Sequence, residues 1–249
     1  MSRPRIHELL VQVFETRNQS LLAELFTHDD FQAFMEKHSL KISRKELSQA
    51  FTHTSFSHEF HVPNQEQLEF LGDSVLQMIL TDELFKKFPE AKEGHLSKLR
   101  SAIVNEDSLA VMANGLHLGD LLIVGKGEFK KKLFEQNAVL ADTFEAMLAQ
   151  IYRHHGLEFT RVLLMKWVSE FIPKVFDESF LDHYDSKSKL QERVLAKFKK
   201  LPKYTSEPHG EMFEVSLWIN DVIEARGVFP SKKTGEKELA QEVLKKELF

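Results

Sequence analysis

The sequence predicts an all-α domain followed by a small α+β domain whose elements run α-β-β-β-α. Three observations carry this. Apolar residues recur at helical spacing almost throughout residues 1–180. After about residue 184 the texture changes, and apolar residues alternate with others over 213–219, as on a half-buried strand. Turn and cap signals, Asn220-Asp221 and Ser231, then separate that strand from a second and from a closing helix.

Taken in order, Leu9, Leu10, Val13 and Phe14 form one amphipathic helix, and Leu21, Leu22, Leu25 and Phe26 a second. Thr27-His28-Asp29-Asp30 supplies a cap ahead of Phe31, Phe34 and Met35. Residues 66–80, EQLEFLGDSVLQMIL, read as a helix with Leu68, Leu71, Val75, Met78 and Ile79 on a buried stripe. Helical spacing continues over 96–104 and 108–112, punctuated by Gly115 and Gly119, and Gly125-Lys126-Gly127 marks a loop. Two further helices are expected over 139–152 and 159–171, the latter ended by Pro173. In the last part, Leu190, Val194, Phe198 and Leu201 make a helix stopped by Pro202. Strands follow at 203–205, 213–219 and 222–228, then a last helix carrying Leu239, Val243 and Leu244.

Composition narrows the chemistry. The 249 residues include no cysteine, which excludes disulfides, thiolate metal sites and a cysteine nucleophile and fits a reducing compartment. No apolar run approaches the ~20 residues of a membrane span. The N-terminus lacks a signal-peptide core, and Glu8 and Glu15 argue against a transit peptide, so a cytoplasmic location is expected. The formal charge of −5 is uneven. Residues 186–249 hold 13 Lys and Arg against 10 Asp and Glu, whereas the preceding 185 hold 20 against 28. That split suits a phosphate-binding module beside a site that concentrates carboxylates.

The carboxylates are placed, not scattered. Glu66, Glu69 and Asp73 stand at i, i+3 and i+7, on one face of their helix. Asp142 and Glu145 stand at i and i+3 on another, opposite Leu140, Phe144, Met147 and Ile151, with small Ala138, Ala141 and Ala149 near the acidic face. Packed together, the two helices would gather Glu69, Asp73, Asp142 and Glu145. Four carboxylates that close repel unless a hard cation neutralises them, and oxygen-only ligands select Mg²⁺ or Mn²⁺.

The residues resemble a known family. Asn64-Gln65-Glu66-Gln67-Leu68-Glu69-Phe70-Leu71-Gly72-Asp73-Ser74 resembles the signature of ribonuclease III. Ala50-Phe51-Thr52-His53-Thr54-Ser55, Glu93-Gly94-His95-Leu96-Ser97-Lys98-Leu99-Arg100, Gly125-Lys126-Gly127-Glu128 and Leu140-Ala141-Asp142-Thr143-Phe144-Glu145-Ala146 are similar to its other marks, in the same order. Residues from 185 onward resemble the double-stranded-RNA-binding domain that follows the nuclease. The resemblance implies an N-terminal helical extension over 1–29, an endonuclease domain over 30–157, a closing helix and linker over 158–184, and an RNA-binding domain over 185–249. It implies Mg²⁺, for which Mn²⁺ can substitute, held by Glu69, Asp73, Asp142 and Glu145, with Asp73 and Glu145 catalytic and Glu66 and Glu93 supporting.

The same resemblance assigns Ser188, Gln191, His209, Lys232 and Lys233 to RNA contacts, with His209 in the loop between strands. It places Phe70 at a homodimer interface. The implied activity is Mg²⁺-dependent hydrolysis of double-stranded RNA to 5′-phosphate and 3′-hydroxyl ends, in rRNA and mRNA precursor processing, with no membrane partner. The rivals are an inert RNA-binding relative, which has no need of all four acids, and a phosphohydrolase of small substrates, which has no need of the appended domain. Several features depart from the pattern: residues 1–30 have no counterpart in the family core, Asn137 stands where many relatives carry an acidic or other polar residue, the loop 129–133 lacks the usual glycines, Pro208 and His209 are adjacent and one residue tighter than usual, Val228-Phe229-Pro230 replaces a Gly/Lys-rich approach to Ser231, and Gly235 stands where Ala is common. His53, His58 and His61 fit no tight zinc chelate, and His154-His155 reads as a solvated helix end.

Overall fold

The computed structural model describes residues 5–176 and 186–246. It divides into two compact units, Met1–Pro173 and Lys174–Phe249. The polar stretch 182–185, read from sequence as linker, lies outside the described residues.

The first unit is helical. Helices α1 (Ile6–Thr16), α2 (Gln19–Phe26), α3 (Asp29–Lys37), α4 (Arg44–Gln49) and α5 (Thr54–Phe60) lead into the long α6 (Glu66–Lys87). Then come α7 (Glu93–Val104), α8 (Glu106–Gly115), the short α9 (Lys126–Lys130) and α10 (Asn137–Phe171). Helix α10 breaks at Gly156, whose φ of 76° and ψ of 178° no helix contains, so the two helices expected there are its two halves. Its first half is the core of the unit. Leu140, Phe144, Met147 and Ile151 are fully buried, each contributing roughly 1.5–3 kcal/mol as an upper bound. Local chemistry starts the shorter helices. Ser43 and Glu46 form a reciprocal capping box on α4, and the imidazole of His28 accepts from Asp30 N to start α3.

The first two helices are part of this core. Ile6, Leu10 and Val13 of α1 are fully buried, and Ile6 N donates to Asp30 Oδ2 (3.2 Å). His155 is not a solvated end: its Nε2 accepts from Lys41 N at 2.9 Å, and its ring stacks on Phe159. The buried face of α6 also differs from the expected stripe. Leu68, Val75, Leu76, Ile79, Leu80 and Leu84 are buried, whereas Leu71 is only half-buried and Met78 is 50% exposed. Phe70 and Phe85 are exposed as well.

The second unit packs α11 (Ser186–Phe198) and α12 (Lys232–Lys245) on one face of an antiparallel sheet of order β1-β2-β3. Its strands are Lys203–His209, Met212–Ile219 and Val222–Phe229. Leu190, Val194, Val215, Leu217, Ile219, Leu239 and Val243 form the core. The β2–β3 turn uses Asn220 and Asp221 with φ of 49° and 67°, the pair of positive values a type I′ hairpin requires. Helix α11 ends at Lys199, in the left-handed region, so Leu201 lies beyond it and is 56% exposed. Gly235 is explained by Phe229: a Cβ on Gly235 would fall 2.5 Å from the Phe229 ring and 2.7 Å from Val215. The two departures from the family pattern are one packing arrangement.

Candidate active site

The acidic residues come together where α6 crosses α10. Gly72 makes the crossing possible. A Cβ built there would lie 1.8 Å from the carbonyl oxygen of Glu145, a backbone atom that cannot move aside. The absent side chain therefore brings the backbone of one acidic helix directly against that of the other. Behind the crossing, buried Gln65 anchors the start of α6. Its N–H donates to Thr52 O (3.0 Å), and its side-chain amide lies 3.3 Å from Thr143 Oγ1, which donates to Val139 O at 2.7 Å. Thr143 sits between Asp142 and Phe144, so this link fixes the register of the two acidic faces.

The electrostatics report the convergence. Glu145 has its pKa pushed up to about 8, first by burial and then by Asp73, Glu69 and Asp142. Burial also raises Glu69, reinforced by Asp142, Glu66 and Asp73. Asp142 is raised by burial and then by Glu106, at the start of α8. Each of these shifts marks a carboxylate whose charge is unwelcome among its neighbours. Asp73 is held by Gln77, whose Nε2 donates to both of its oxygens (2.8 and 3.0 Å).

The predicted residues therefore fall into groups. Glu69, Asp73, Asp142 and Glu145 share one neighbourhood, and Glu66 borders it, exposed and 3.2 Å from Asn64 Nδ2. Glu93 stands apart. It opens α7, accepts from Ser97 Oγ (2.9 Å), and lines a cavity of about 470 Å³ with Thr81, Phe85 and Arg100, two turns along α6 from Asp73. Phe70 is 80% exposed. In the second unit, Ser188 and Gln191 are exposed on α11, and Lys232 and Lys233 are exposed at the start of α12, which Ser231 Oγ caps by accepting from Thr234 N. His209 is not in a loop but is the last residue of β1, paired with Met212 across the turn at Gly210.

Sequence reasoning missed Gln65, Thr143, Gln77 and Glu106. Thr143 is a polar residue on an otherwise apolar helix face and Gln65 stands immediately before α6, a pair that could have been read as a link between helices.

All four clustered groups are oxygen ligands, the set that Mg²⁺ and Mn²⁺ prefer. Among the described residues, no three His, Asp or Glu side chains stand converged on one point as a metal would hold them. The donor chemistry and the raised pKa of Glu145 both fit a bound divalent cation.

Known proteins of one family resemble this chain. A family model described as Ribonuclease-III-like matches residues 44–171. Ribonuclease 3 of Syntrophomonas wolfei is 35% identical over 224 residues, covering 87% of this chain and 95% of the relative. Ribonuclease 3 of Shewanella baltica is 36% identical over 204 residues, covering 80% of this chain and 88% of the relative. Among solved structures, the nuclease domain of the Campylobacter jejuni enzyme, described for flexibility in a region involved in dimer formation, matches with a TM-score of 0.55. That pair is 35% identical and covers 57% of this chain and 99% of the other. With the matched helices carrying the acidic crossing, the chain belongs to the ribonuclease III family and is a ribonuclease.

Proposed function

We propose that this ribonuclease is a Mg²⁺-dependent endonuclease that hydrolyses double-stranded RNA, with Glu69, Asp73, Asp142 and Glu145 as its metal ligands. The observation that carries this is the α6–α10 crossing at Gly72, which sets the four carboxylates around one neighbourhood. When bound there, a divalent cation supplies positive charge for the phosphoryl oxygens and acidity for an attacking water. Asp73 and Glu145 contribute ligand charge from the two sides of the crossing. Gln77 orients Asp73, and the Gln65–Thr143 link holds the faces in register. Glu66 and Glu93 take supporting roles, Glu66 by its charge on Glu69. In the hydrolysis, a water oxygen bonds to phosphorus as the bond to the 3′ oxygen breaks, leaving a 5′-phosphate and a 3′-hydroxyl.

In this reading the endonuclease domain spans 30–157, preceded by the extension 1–29 and followed by the closing helix and linker 158–184. Residues 185–249 bind the duplex, with Ser188, Gln191 and His209 toward the minor groove and Lys232 and Lys233 on phosphates. Two subunits related by symmetry make two staggered cuts. The stripe of Phe70, Met78 and Phe85, 80%, 50% and 66% exposed on α6, supports a homodimer, as does the dimer-forming region described for the Campylobacter jejuni domain. No helix among the described residues is long and apolar enough to cross a membrane, and a cytoplasmic enzyme acting on rRNA and mRNA precursors fits the cysteine-free chain. The test is incubation of the purified protein with long double-stranded RNA in Mg²⁺ or in EDTA. Discrete fragments with 5′-phosphates in Mg²⁺ alone are expected; metal-independent cutting, or none, would remove the proposal.

A further inference from the structure

The nuclease unit is acidic, yet it must hold a polyanion against a carboxylate cluster. Residues 126–132, KGEFKKK, are its densest basic stretch, with four lysines against one glutamate. All four lysines are exposed. Lys131 and Lys132 pair with Glu128 (3.6 Å) and Glu135 (3.0 Å), with 71% and 67% of their own side chains open to solvent. Such pairs are worth little and yield easily to a phosphate. The stretch enters α10 only five residues later, and chain length keeps Lys132 within about 25 Å of Asp142.

The stretch is held from an unexpected side. Phe129 and Phe134, flanking the lysines, pack on each other (5.4 Å between centroids) and on His7 of α1, at 5.4 and 4.5 Å. Phe14, two turns along α1, also meets Phe129 at 6.0 Å. His7 Nε2 lies 3.2 Å from Leu122 O, tying α1 to the segment just upstream. Lys126 N donates to Glu59 Oε1, and Gly125 N to Ser55 Oγ, both at 2.8 Å. The aromatic clamp lets this stretch be both exposed and fixed.

We infer that α1 is a buttress whose His7 and Phe14 fix Phe129 and Phe134, so that Lys126, Lys130, Lys131 and Lys132 form a duplex-phosphate contact on the nuclease unit. The inference rests on the duplex-RNA reading above and gives the N-terminal helix a function in substrate binding. Phosphate contacts of this kind add affinity without sequence preference and steepen its salt dependence, by about one unit of log–log slope for each lysine engaged.

The experiment uses the full chain, a 30-base-pair RNA duplex, Lys130→Gln/Lys131→Gln/Lys132→Gln and His7→Gln. Surface lysine changes leave folding intact, so the triple variant should show KM raised about tenfold or more, with the larger change in KM than in kcat. Its binding should have a salt slope shallower by about 2–3. His7→Gln keeps a hydrogen-bonding side chain near Leu122 but drops the ring contacts. It should raise KM by a few-fold and speed amide exchange over residues 126–134, with little change elsewhere. If the triple variant keeps the wild-type KM and salt slope, the lysines do not touch the duplex and the inference is overturned. If exchange over 126–134 is the same in His7→Gln as in wild type, the buttress is overturned, whether or not the lysines bind. A wild-type chain that neither binds nor cuts the duplex would overturn the functional reading, and this inference with it.

Discussion

Gly72→Ala is the smallest change that strikes the crossing without touching a carboxylate. The added Cβ would lie 1.8 Å from Glu145 O, 2.4 Å from its carbonyl carbon and 3.1 Å from its Cα. Reaching even a tight 3.0 Å requires α6 and α10 to part by about 1.2 Å, and an ordinary contact requires more. Overpacking of this kind costs about 1–3 kcal/mol, while replacing a mid-helix glycine with alanine returns about 0.8–1 kcal/mol. The net loss of up to about 2 kcal/mol should lower Tm by at most roughly 8 °C for a unit of this size. Activity should suffer far more. A displacement near 1 Å between the two halves of a catalytic constellation costs on the order of 10²-fold. The assay compares Mg²⁺-dependent cleavage of a long RNA duplex at 25 °C with thermal unfolding of the same samples. Wild-type cleavage together with wild-type Tm would show that the close approach of the helices positions nothing, and the site geometry described here would be wrong.

Three further outcomes follow from other parts of the molecule. His38 is 7% exposed with neither ring nitrogen partnered among the described residues, and burial lowers its pKa to about 4. The fold therefore prefers neutral His38, so this contribution is complete above about pH 6.5 and is lost as pH falls toward 4, at up to about 1.4 kcal/mol per unit. Thermal unfolding of wild type should fall across that window more steeply than that of His38→Phe; parallel curves would refute the assignment. Phe70→Glu, on the exposed stripe of α6, should convert a sedimenting dimer to monomer and abolish paired cutting, and an unchanged dimer would place the interface elsewhere. Residues 185–249 alone should bind duplex RNA with affinity that falls as salt rises, and Lys232→Gln/Lys233→Gln should flatten that dependence by about 2 units of slope; equal affinity for duplex DNA would count against the contacts.

Much of this was legible in the sequence because its signals are local. Spacings of i, i+3 and i+7 fix which side chains share a helix face, so Glu69 with Asp73, and Asp142 with Glu145, could be paired before any tertiary contact was known. The cap at 27–30, the gap between helices at 152–159 and the Asn220-Asp221 turn rest on short local signals and were equally visible. What periodicity cannot show is what covers an apolar face. Met78 reads as core because it is apolar at a helical repeat, yet it is half exposed on a stripe with Phe70 and Phe85. Glu106 was missed because 36 residues separate it from Asp142, and only packing brings its charge to bear. Gly235 looked like a weakness in a helix, since the bulk that needs its space, Phe229, sits on a strand. The N-terminal layer was foreseen as helical, but its contacts with Phe129 and Phe134 cross more than 110 residues and leave no local trace.

The central claim is that the carboxylates at the crossing hold the cation that drives hydrolysis, and Glu145→Gln tests it most directly. The substitution keeps size and most hydrogen bonding and removes one ligand charge. Cleavage of long double-stranded RNA should collapse by at least about 10²-fold, the effect of losing ~3 kcal/mol of transition-state stabilisation. Binding to the same duplex should persist. The metal-free protein should be as stable as wild type or slightly more so above pH 8, where wild-type Glu145 must carry its charge among Asp73, Glu69 and Asp142. Cleavage by Glu145→Gln at the wild-type rate, or lost stability with activity reduced only in proportion, would contradict the account.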